Sequence, residues 1–326
     1  MNSIDTILKY MHESNDFVVT SHVNPDGDNI GSTLSIYYFL KQLNKNVYYV
    51  MNDDMPLNMA FLTKNVNIIN SNEFKEMNIK EYNLIALDCG DKNRICVDDD
   101  ILENSMKIIN IDHHSSNDFY GDLNYVLAEE SSTCELVYNL LIRNEEMNKV
   151  KSIDKDIATA LYTGLMTDTG KLTYSNTHPN SFDMAKNLMV LGADTQGVIQ
   201  NVFGSNPFNF YKLLGESLNT LEVINTKIAV MVVTEDMLRK YNVDFKDIDG
   251  IVPYARDIEN VEIGILLKEK GNNEIKVSFR SKYYANVSKI AKVFGGGGHI
   301  RAAGCTINDN MDNAKKLVIE EALKEI

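Results

Sequence analysis

Residues 108–117, IINIDHHSSN, carry one acid and two adjacent histidines to the end of a mostly apolar run. A carboxylate beside two imidazoles suits a first-row divalent metal. A solvated turn with a chance histidine pair reads the same from this stretch alone. Further groups of the same kind recur along the chain: His22, Asp26 and Asp28 in HVNPDGDNIGS (22–32), Asp88 in ALDCGD (86–91) and Asp168 in GLMTDTG (164–170). Asp26 and Asp28, two apart with His22 four residues earlier, can converge where two cations would sit. Capping and turn formation by the two acids is the other reading.

The elements that would position these groups follow from pattern. Phe17–Ser21 is β-branched and apolar and reads as a strand. Pro25 and Gly27 then interrupt regular structure, so His22, Asp26 and Asp28 are expected on a loop. Ile30, Leu34, Tyr37 and Tyr38 recur at helical spacing, with Asp28 or Asn29 as the cap. Val47–Met51 and Leu84–Leu87 read as strands, the second ending at Asp88. Lys107–Ile111 ends likewise at Asp112, His113 and His114. Ile157–Met166 has helical spacing and leads to Asp168 ahead of a glycine turn. Strands alternating with helices imply an α/β fold with a doubly wound, mainly parallel sheet, whose carboxyl edge is the usual ligand site. His22, Asp26, Asp28, Asp88, His113 and Asp168 would then share one rim, a coincidence that capping roles do not explain. Asp91 and Arg94, just beyond, fit either an ion pair or a substrate contact.

Beyond residue 180 the pattern is helical, with Phe182, Ala185, Leu188 and Met189 on one face and a stop at Gly192. Gly, Asn and Pro then break the periodicity. Three parts are expected: a catalytic domain at 1–190, a helical connector at 191–225 and a smaller α/β domain at 226–326. In the last, KIAVMVV is a strand, TEDMLRKY a capped helix, and VEIGILLKE and EIKVSFRS a strand pair joined by Gly271 and Asn272. Val287–Phe294 is a short helix that stops at Gly295–Gly298, ahead of His299, and Asp312–Ile326 is an amphipathic helix. Four glycines make either a flexible loop or a backbone that comes close to an anionic ligand.

Composition narrows the function. The 326 residues carry a net charge of −14, which argues against a broad basic face for long nucleic acid. From Thr226 onward there are 16 basic against 15 acidic residues, whereas the preceding part has 16 against 31. Within the second part, 275–308 holds Lys276, Arg280, Lys282, Lys289, Lys292 and Arg301 and no acid, as an anion-binding surface or a basic solvated face would. No apolar run is long enough for a membrane span. Met1–Asp5 has neither a basic start nor an apolar core behind it, so the chain is expected in the cytoplasm. Cys89, Cys96, Cys134 and Cys305 lack C-x-x-C spacing and read as reduced, buried thiols.

Taken together, HVNPDGDNIGS, ALDCGD, IDHHSSN (111–117), SSTCE (131–135) and GLMTDTG resemble the DHH phosphoesterase superfamily. VSFRS (277–281) and FGGGGHIRAAG (294–304) resemble the signature of its DHHA1 domain, which points to the DHH–DHHA1 branch. Length and domain order are similar to the oligoribonucleases of that branch that also hydrolyse 3′-phosphoadenosine 5′-phosphate. The resemblance implies two Mn²⁺ ions, with Mg²⁺ or Co²⁺ as substitutes. One would be held by His22, Asp26 and Asp88, the other by Asp28, Asp88, His113 and Asp168, with Asp88 bridging. It implies that His114 acts on the scissile phosphate and that Asp112 orients an imidazole or a ligand. Arg280, Gly297, Gly298 and His299, with Ser278 as a weaker candidate, match positions that hold the far end of the substrate, while Arg301 matches none. The partners implied are short RNA oligonucleotides and mononucleotide bisphosphates, with no long nucleic acid and no membrane; a homodimer is the assembly entertained. An acidic catalytic domain and a basic gripping domain would select substrates short enough to use both. Phosphodiesterases for linear or cyclic dinucleotides, and a non-catalytic nucleotide-binding module, are the competing readings.

Overall fold

Strand residues of the N-terminal half alternate between two apolar layers, and that alternation accounts for its architecture. In the computed structural model, which describes residues 2–245, 248–271 and 273–326, the chain forms two compact units, Met1–Ser205 and Asn206–Ile326. The first runs α1 (Ile4–Glu13), β1 (Asp16–Ser21), α2 (Gly27–Gln42), β2 (Asn46–Val50), β3 (Ile68–Ile69), α3 (Ser71–Glu76), β4 (Asn83–Leu87), α4 (Asp99–Glu103), β5 (Ile108–Asp112), β6 (Leu123–Val126), α5 (Thr133–Asn148), α6 (Lys155–Asp168), α7 (Pro179–Val190) and α8 (Thr195–Val198). Its sheet has the order β3-β2-β1-β4-β5-β6, parallel throughout. Phe17, Val19, Ile85, Leu87, Ile109 and Ile111 pack on one side against α2, α5 and α6. Val18, Leu84, Ala86 and Ile108 pack on the other against Phe74 of α3 and Ile101 and Leu102 of α4. Each fully buried Val, Leu, Ile or Phe among them contributes about 1.5–3 kcal/mol. The sheet is doubly wound, as expected, and its order reverses between β1 and β4.

The second unit contains α9 (Phe208–Asn219), β7 (Glu222–Ile224), β8 (Ile228–Val233), α10 (Glu235–Tyr241), α11 (Val252–Arg256), β9 (Ile263–Glu269), β10 (Glu274–Ser281), α12 (Val287–Val293), β11 (Gly297–His299), β12 (Ala302–Asn308) and α13 (Met311–Ala322). Its sheet order is β11-β12-β10-β9-β8-β7, with β8 and β9 parallel and the other pairs antiparallel. One face, with Ile265, Val277, Phe279 and Ile307, is covered by α12 and α13. The other face is covered by α9 and α11 mainly over β8 and β9, with α11 reaching part of β10. Its remaining part, over β10 and β12, presents Lys276, Ser278, Arg280 and Thr306.

Several details differ from expectation. The connector over 191–225 is not separate: Val198 enters the core of the first unit, and Phe210, Leu213 and Leu214 enter that of the second. In α7, Ala185 and Leu188 are buried, but Phe182 and Met189 are 56% and 57% exposed, because α7 offers the core a narrower stripe than its apolar residues suggest. The four glycines are no free loop: Gly297–His299 pairs with β12. A Cβ on Gly296 would lie 2.2 Å from the Gly304 carbonyl oxygen, and one on Gly298, at φ +139°, would lie 2.5 Å from that of Ala302. Two backbones meet there, and only glycine fits. The turn expected at Gly271–Asn272 falls partly outside the described residues, since Asn272 is not among them. Among the described residues no helix is long and apolar enough to cross a membrane. All four cysteines are free and buried.

Candidate metal centre

The carboxyl ends of β1, β4 and β5 converge at the reversal in strand order, where open α/β sheets bind ligands. His22 follows β1 and donates from Nδ1 to the Val23 carbonyl oxygen at 2.7 Å. That bond turns Nε2 toward Asp88 Oδ2 at 3.4 Å and Asp26 Oδ2 at 3.8 Å. His113 follows β5 and donates from Nδ1 to the Glu130 carbonyl oxygen at 3.2 Å. Its Nε2 then lies 3.3 Å from Asp168 Oδ2, 3.7 Å from Asp88 Oδ1 and 3.9 Å from Asp28 Oδ2. Asp88 therefore offers one oxygen to each histidine. It sits at φ +54°, directly after β4, a left-handed conformation that costs about 1–3 kcal/mol for a non-glycine residue. The sharp turn aims the carboxylate into the centre instead of along the strand.

Charge balance at this centre is unfavourable without cations. Burial, followed by repulsion from Asp28 and Asp26, pushes the Asp88 carboxyl well above its ordinary range. The same causes in the same order raise Asp168, although its side chain is 29% exposed. Burial also raises Asp28. Two groups of carboxylate and imidazole atoms, His22–Asp26–Asp88 and Asp28–His113–Asp168, have ligand atoms within 4.8 Å of one another. Oxygen and neutral imidazole donors at this spacing fit divalent cations, which would supply the missing positive charge. A third group, Asp88–His113–His114, fits less well. His114 Nδ1 already donates to Asp112 Oδ1 at 2.7 Å, so that nitrogen is not available to an ion.

Asp112 is wholly engaged as a support. Its Oδ1 accepts from His114, and its Oδ2 accepts from Asn117 Nδ2 at 2.6 Å. Burial opposes its ionisation, but these hydrogen bonds and the histidines nevertheless hold its carboxyl below the ordinary value. The placement of the other acids corrects the expected loop. Asp26 is the N-cap of α2: its Oδ1 accepts from the Asp28 and Asn29 N–H groups at 3.1 and 3.0 Å, while Oδ2 faces His22. Capping and clustering are thus compatible at Asp26. Asp28 lies in the first turn of α2 and Asp168 is the last residue of α6, so only His22, Asp88 and His113 stand at strand ends. Asp91 forms no ion pair with Arg94; it caps the following turn by accepting from the Asn93 N–H at 2.9 Å.

Residue types alone did not single out the supports around the acids. Thr133 and Cys134 N–H groups at the start of α5 donate to Asp28 at 2.6 and 2.9 Å, and the Thr133 hydroxyl donates to Asp88 Oδ1 at 2.9 Å. Asn176 Nδ2 bridges the Ser131 and Asp168 carbonyl oxygens at 3.0 and 3.1 Å. The available signal was Ser132, an N-cap inside SSTCE whose side chain accepts from the Glu135 N–H. Gly27, Gly31 and Gly164 let α2 and α6 approach closely, with backbone against backbone at Gly31, where a Cβ would lie 2.4 Å from the Ala160 carbonyl oxygen. That close crossing brings Asp28 and Asp168 together.

In the second unit, strand register groups the candidate substrate residues on one face. His299 pairs with Ala302 and Ala302 with Arg280. Gly297 pairs with Gly304 and Gly304 with Ser278. Side chains directly opposite share a face, so Arg280, Ser278, Gly297 and His299 line the uncovered part of the sheet. Gly298 pairs with Ala303 and Phe279 on the covered side, so it can offer only backbone. Arg301, which the motif left without a role, donates to the Ala285 and Tyr283 carbonyl oxygens and fastens the loop before α12.

The model of the DHH family N-terminal domain matches residues 16–165, and that of the DHHA1 domain matches 225–325. The chain belongs to the DHH–DHHA1 family. Among its DHH relatives, a bifunctional oligoribonuclease and PAP phosphatase NrnA of Thermus thermophilus is 29% identical over 94% of this chain and 89% of its own. The cyclic-di-AMP phosphodiesterase PdeA of Listeria monocytogenes is 27% identical over 96% of this chain but only 47% of its own length. A crystal structure of an exopolyphosphatase-related protein from Bacteroides fragilis superposes with a TM-score of 0.89 at 28% identity, covering 98% of this chain and 95% of the other.

Proposed function

We propose that this DHH–DHHA1 protein is a metal-dependent phosphoesterase that hydrolyses short oligoribonucleotides and 3′-phosphoadenosine 5′-phosphate. The observation that carries the reading is Asp88, whose two carboxylate oxygens face two separate imidazole–carboxylate groups. His22, Asp26 and Asp88 would hold one divalent ion, and Asp28, Asp88, His113 and Asp168 the other. Mn²⁺ suits this mixture of donors best, with Mg²⁺ or Co²⁺ as substitutes. When bound, such a pair lowers the pKa of a water and neutralises charge on a phosphate. The chain's own residues do the rest. The Nδ1 bonds of His22 and His113 to carbonyl oxygens fix each ring with Nε2 toward the acids. Asp112, locked by Asn117, fixes the ring of the partly exposed His114, whose Nε2 would donate to a phosphate oxygen. Arg280, His299 and the Gly297–Gly298 backbone would hold the far end of the substrate, with Ser278 beside them.

Both activities in the name of the Thermus relative support the substrate class. The Listeria relative supports a second reading, hydrolysis of cyclic or linear dinucleotides by the same centre. A non-catalytic binder has no use for two complete ligand groups sharing a carboxylate. The test is a panel of RNAs from dinucleotides to twenty-mers, the bisphosphonucleotide and a cyclic dinucleotide, each with Mn²⁺ and with chelator. The expected result is turnover of the short RNAs and the bisphosphonucleotide, abolished by chelation and by Asp88→Ala. Equal turnover after exhaustive chelation, or a preference for twenty-mers, would overturn the reading.

A further inference from the structure

Of the six basic side chains in the acid-free stretch, several have structural duties. Arg301 and Lys282 bond backbone carbonyl oxygens, and Lys289 pairs with Glu325. Among the described residues Lys276 has no such tie. It lines a pocket of about 380 Å³ together with Lys268, Ser278, Gly295, Gly296 and Thr306, a lining that includes no acid. That volume lies within the range of small-ligand sites. Register explains the charge: Lys276 stands directly opposite Lys268 on β9 and Thr306 on β12. Lys268 is 6% exposed and holds its ammonium 5.5 Å from the centre of the Phe245 ring.

We propose that this pocket is a phosphate subsite for a nucleotide unit beyond the one held at Arg280 and His299; the inference rests on the function proposed above. Lys276, Ser278 and Arg280 alternate along the same uncovered face of β10. Four residues of extended chain put Lys276 roughly 14 Å along the strand from Arg280. A nucleotide gripped at Arg280 therefore engages Lys276 through a further phosphate-bearing unit. The Gly295–Gly296 backbone forms the wall nearest α12, and the Ser278 and Thr306 hydroxyls lie beside the lysines as donors. The subsite would separate oligonucleotides from mononucleotide bisphosphates by giving the longer substrate one more charged contact.

The test compares a 5′-phosphorylated trinucleotide with 3′-phosphoadenosine 5′-phosphate on the full-length, metal-loaded protein. Loss of one charge-assisted contact predicts that Lys276→Ala raises KM for the trinucleotide about tenfold, several times more than for the bisphosphonucleotide. The dependence of trinucleotide binding on log salt should also become shallower by about 0.7. Lys276→Arg, which keeps the charge, should restore both, and an unchanged melting temperature shows that each variant folds. Equal KM changes on the two substrates, or none, overturn the subsite while leaving the phosphoesterase reading intact. If the wild type turns over neither nucleotide, that reading fails, and calorimetric binding of the trinucleotide to chelator-treated protein decides the subsite. Binding weakened by Lys276→Ala supports it, and binding equal to wild type overturns it.

Discussion

Gly164→Ala tests whether the crossing of α2 and α6 sets the metal centre, since it adds one methyl group and replaces no inferred ligand. A Cβ at that position would lie 2.2 Å from Cys134 Sγ, 2.8 Å from Asp28 Oδ1 and 3.0 Å from Asp28 Cα. Ordinary contact begins at 3.4 Å, so Asp28 Oδ1 must recede by about 0.6 Å, which exceeds the ~0.5 Å tolerance of a preorganised site. Overpacking of this kind costs about 1–3 kcal/mol, or roughly 4–8 °C in Tm for a cost of about 2 kcal/mol in a unit of this size. Misplacing one ligand should lower kcat/KM on a dinucleotide by about 10- to 100-fold, some 1.4 to 2.7 kcal/mol of barrier by the conversion of about 1.36 kcal/mol per decade. Bound metal, read by atomic absorption after gel filtration, should fall in parallel. Adding Cys134→Ala removes the sulfur contact and should recover much of the Tm but little of the activity, because the contact with Asp28 remains. Wild-type activity and metal content in Gly164→Ala would refute the claim that this helix crossing positions Asp28.

His114→Ala should retain its metal while kcat falls by about 10²-fold, the scale of one lost transition-state donor; depleted metal in that variant would make His114 a ligand. Arg280→Ala should raise KM for a dinucleotide more than it lowers kcat, because it removes a contact distant from the bond being broken; steady-state kinetics equal to wild type would remove Arg280 from the substrate site. In metal-free protein the raised carboxyls of Asp88 and Asp168 bind protons more readily folded than unfolded, so their stabilising contribution is complete below the ordinary value of 3.8 and is lost as pH rises through the raised folded values. Chelated protein should accordingly melt higher as pH falls from neutral toward that range. Divalent metal at about 100 times its Kd should add about 2.7 kcal/mol at neutral pH. A chelated protein whose Tm does not rise on mild acidification would mean that the carboxylates are already compensated.

The chemistry of the centre was legible in the chain because β4 and β5 announce themselves. Continuous apolar runs are what a strand buried on both faces requires, and an acid or histidine at their ends then belongs to the sheet edge. His22, Asp88 and the run Asp112–His113–His114 were placed at strand ends in this way. The same reasoning misplaced Asp26 and Asp28, because Pro25 and Gly27 look like loop formers although Gly27 opens α2. Close approach of Gly27 to Thr167, 2.4 Å for a notional Cβ, is what makes glycine necessary there. Local pattern cannot tell a glycine needed for a turn from one needed for a helix contact.

Identity and order of the segments that carry the candidate ligands, the acidic–basic division of the chain and the alternation of strands and helices were properties of the sequence by itself, because each depends on near neighbours along the chain. Tertiary structure alone decided which oxygen of Asp88 faces which histidine, that Thr133 and Cys134 hold Asp28, and that Asn117 and His114 occupy Asp112 completely. It also decided that Lys268, Lys276 and Thr306 form one row. These relations join residues far apart in the chain, and they depend on strand register and helix crossing, in which a shift of one residue would turn each side chain to the opposite face.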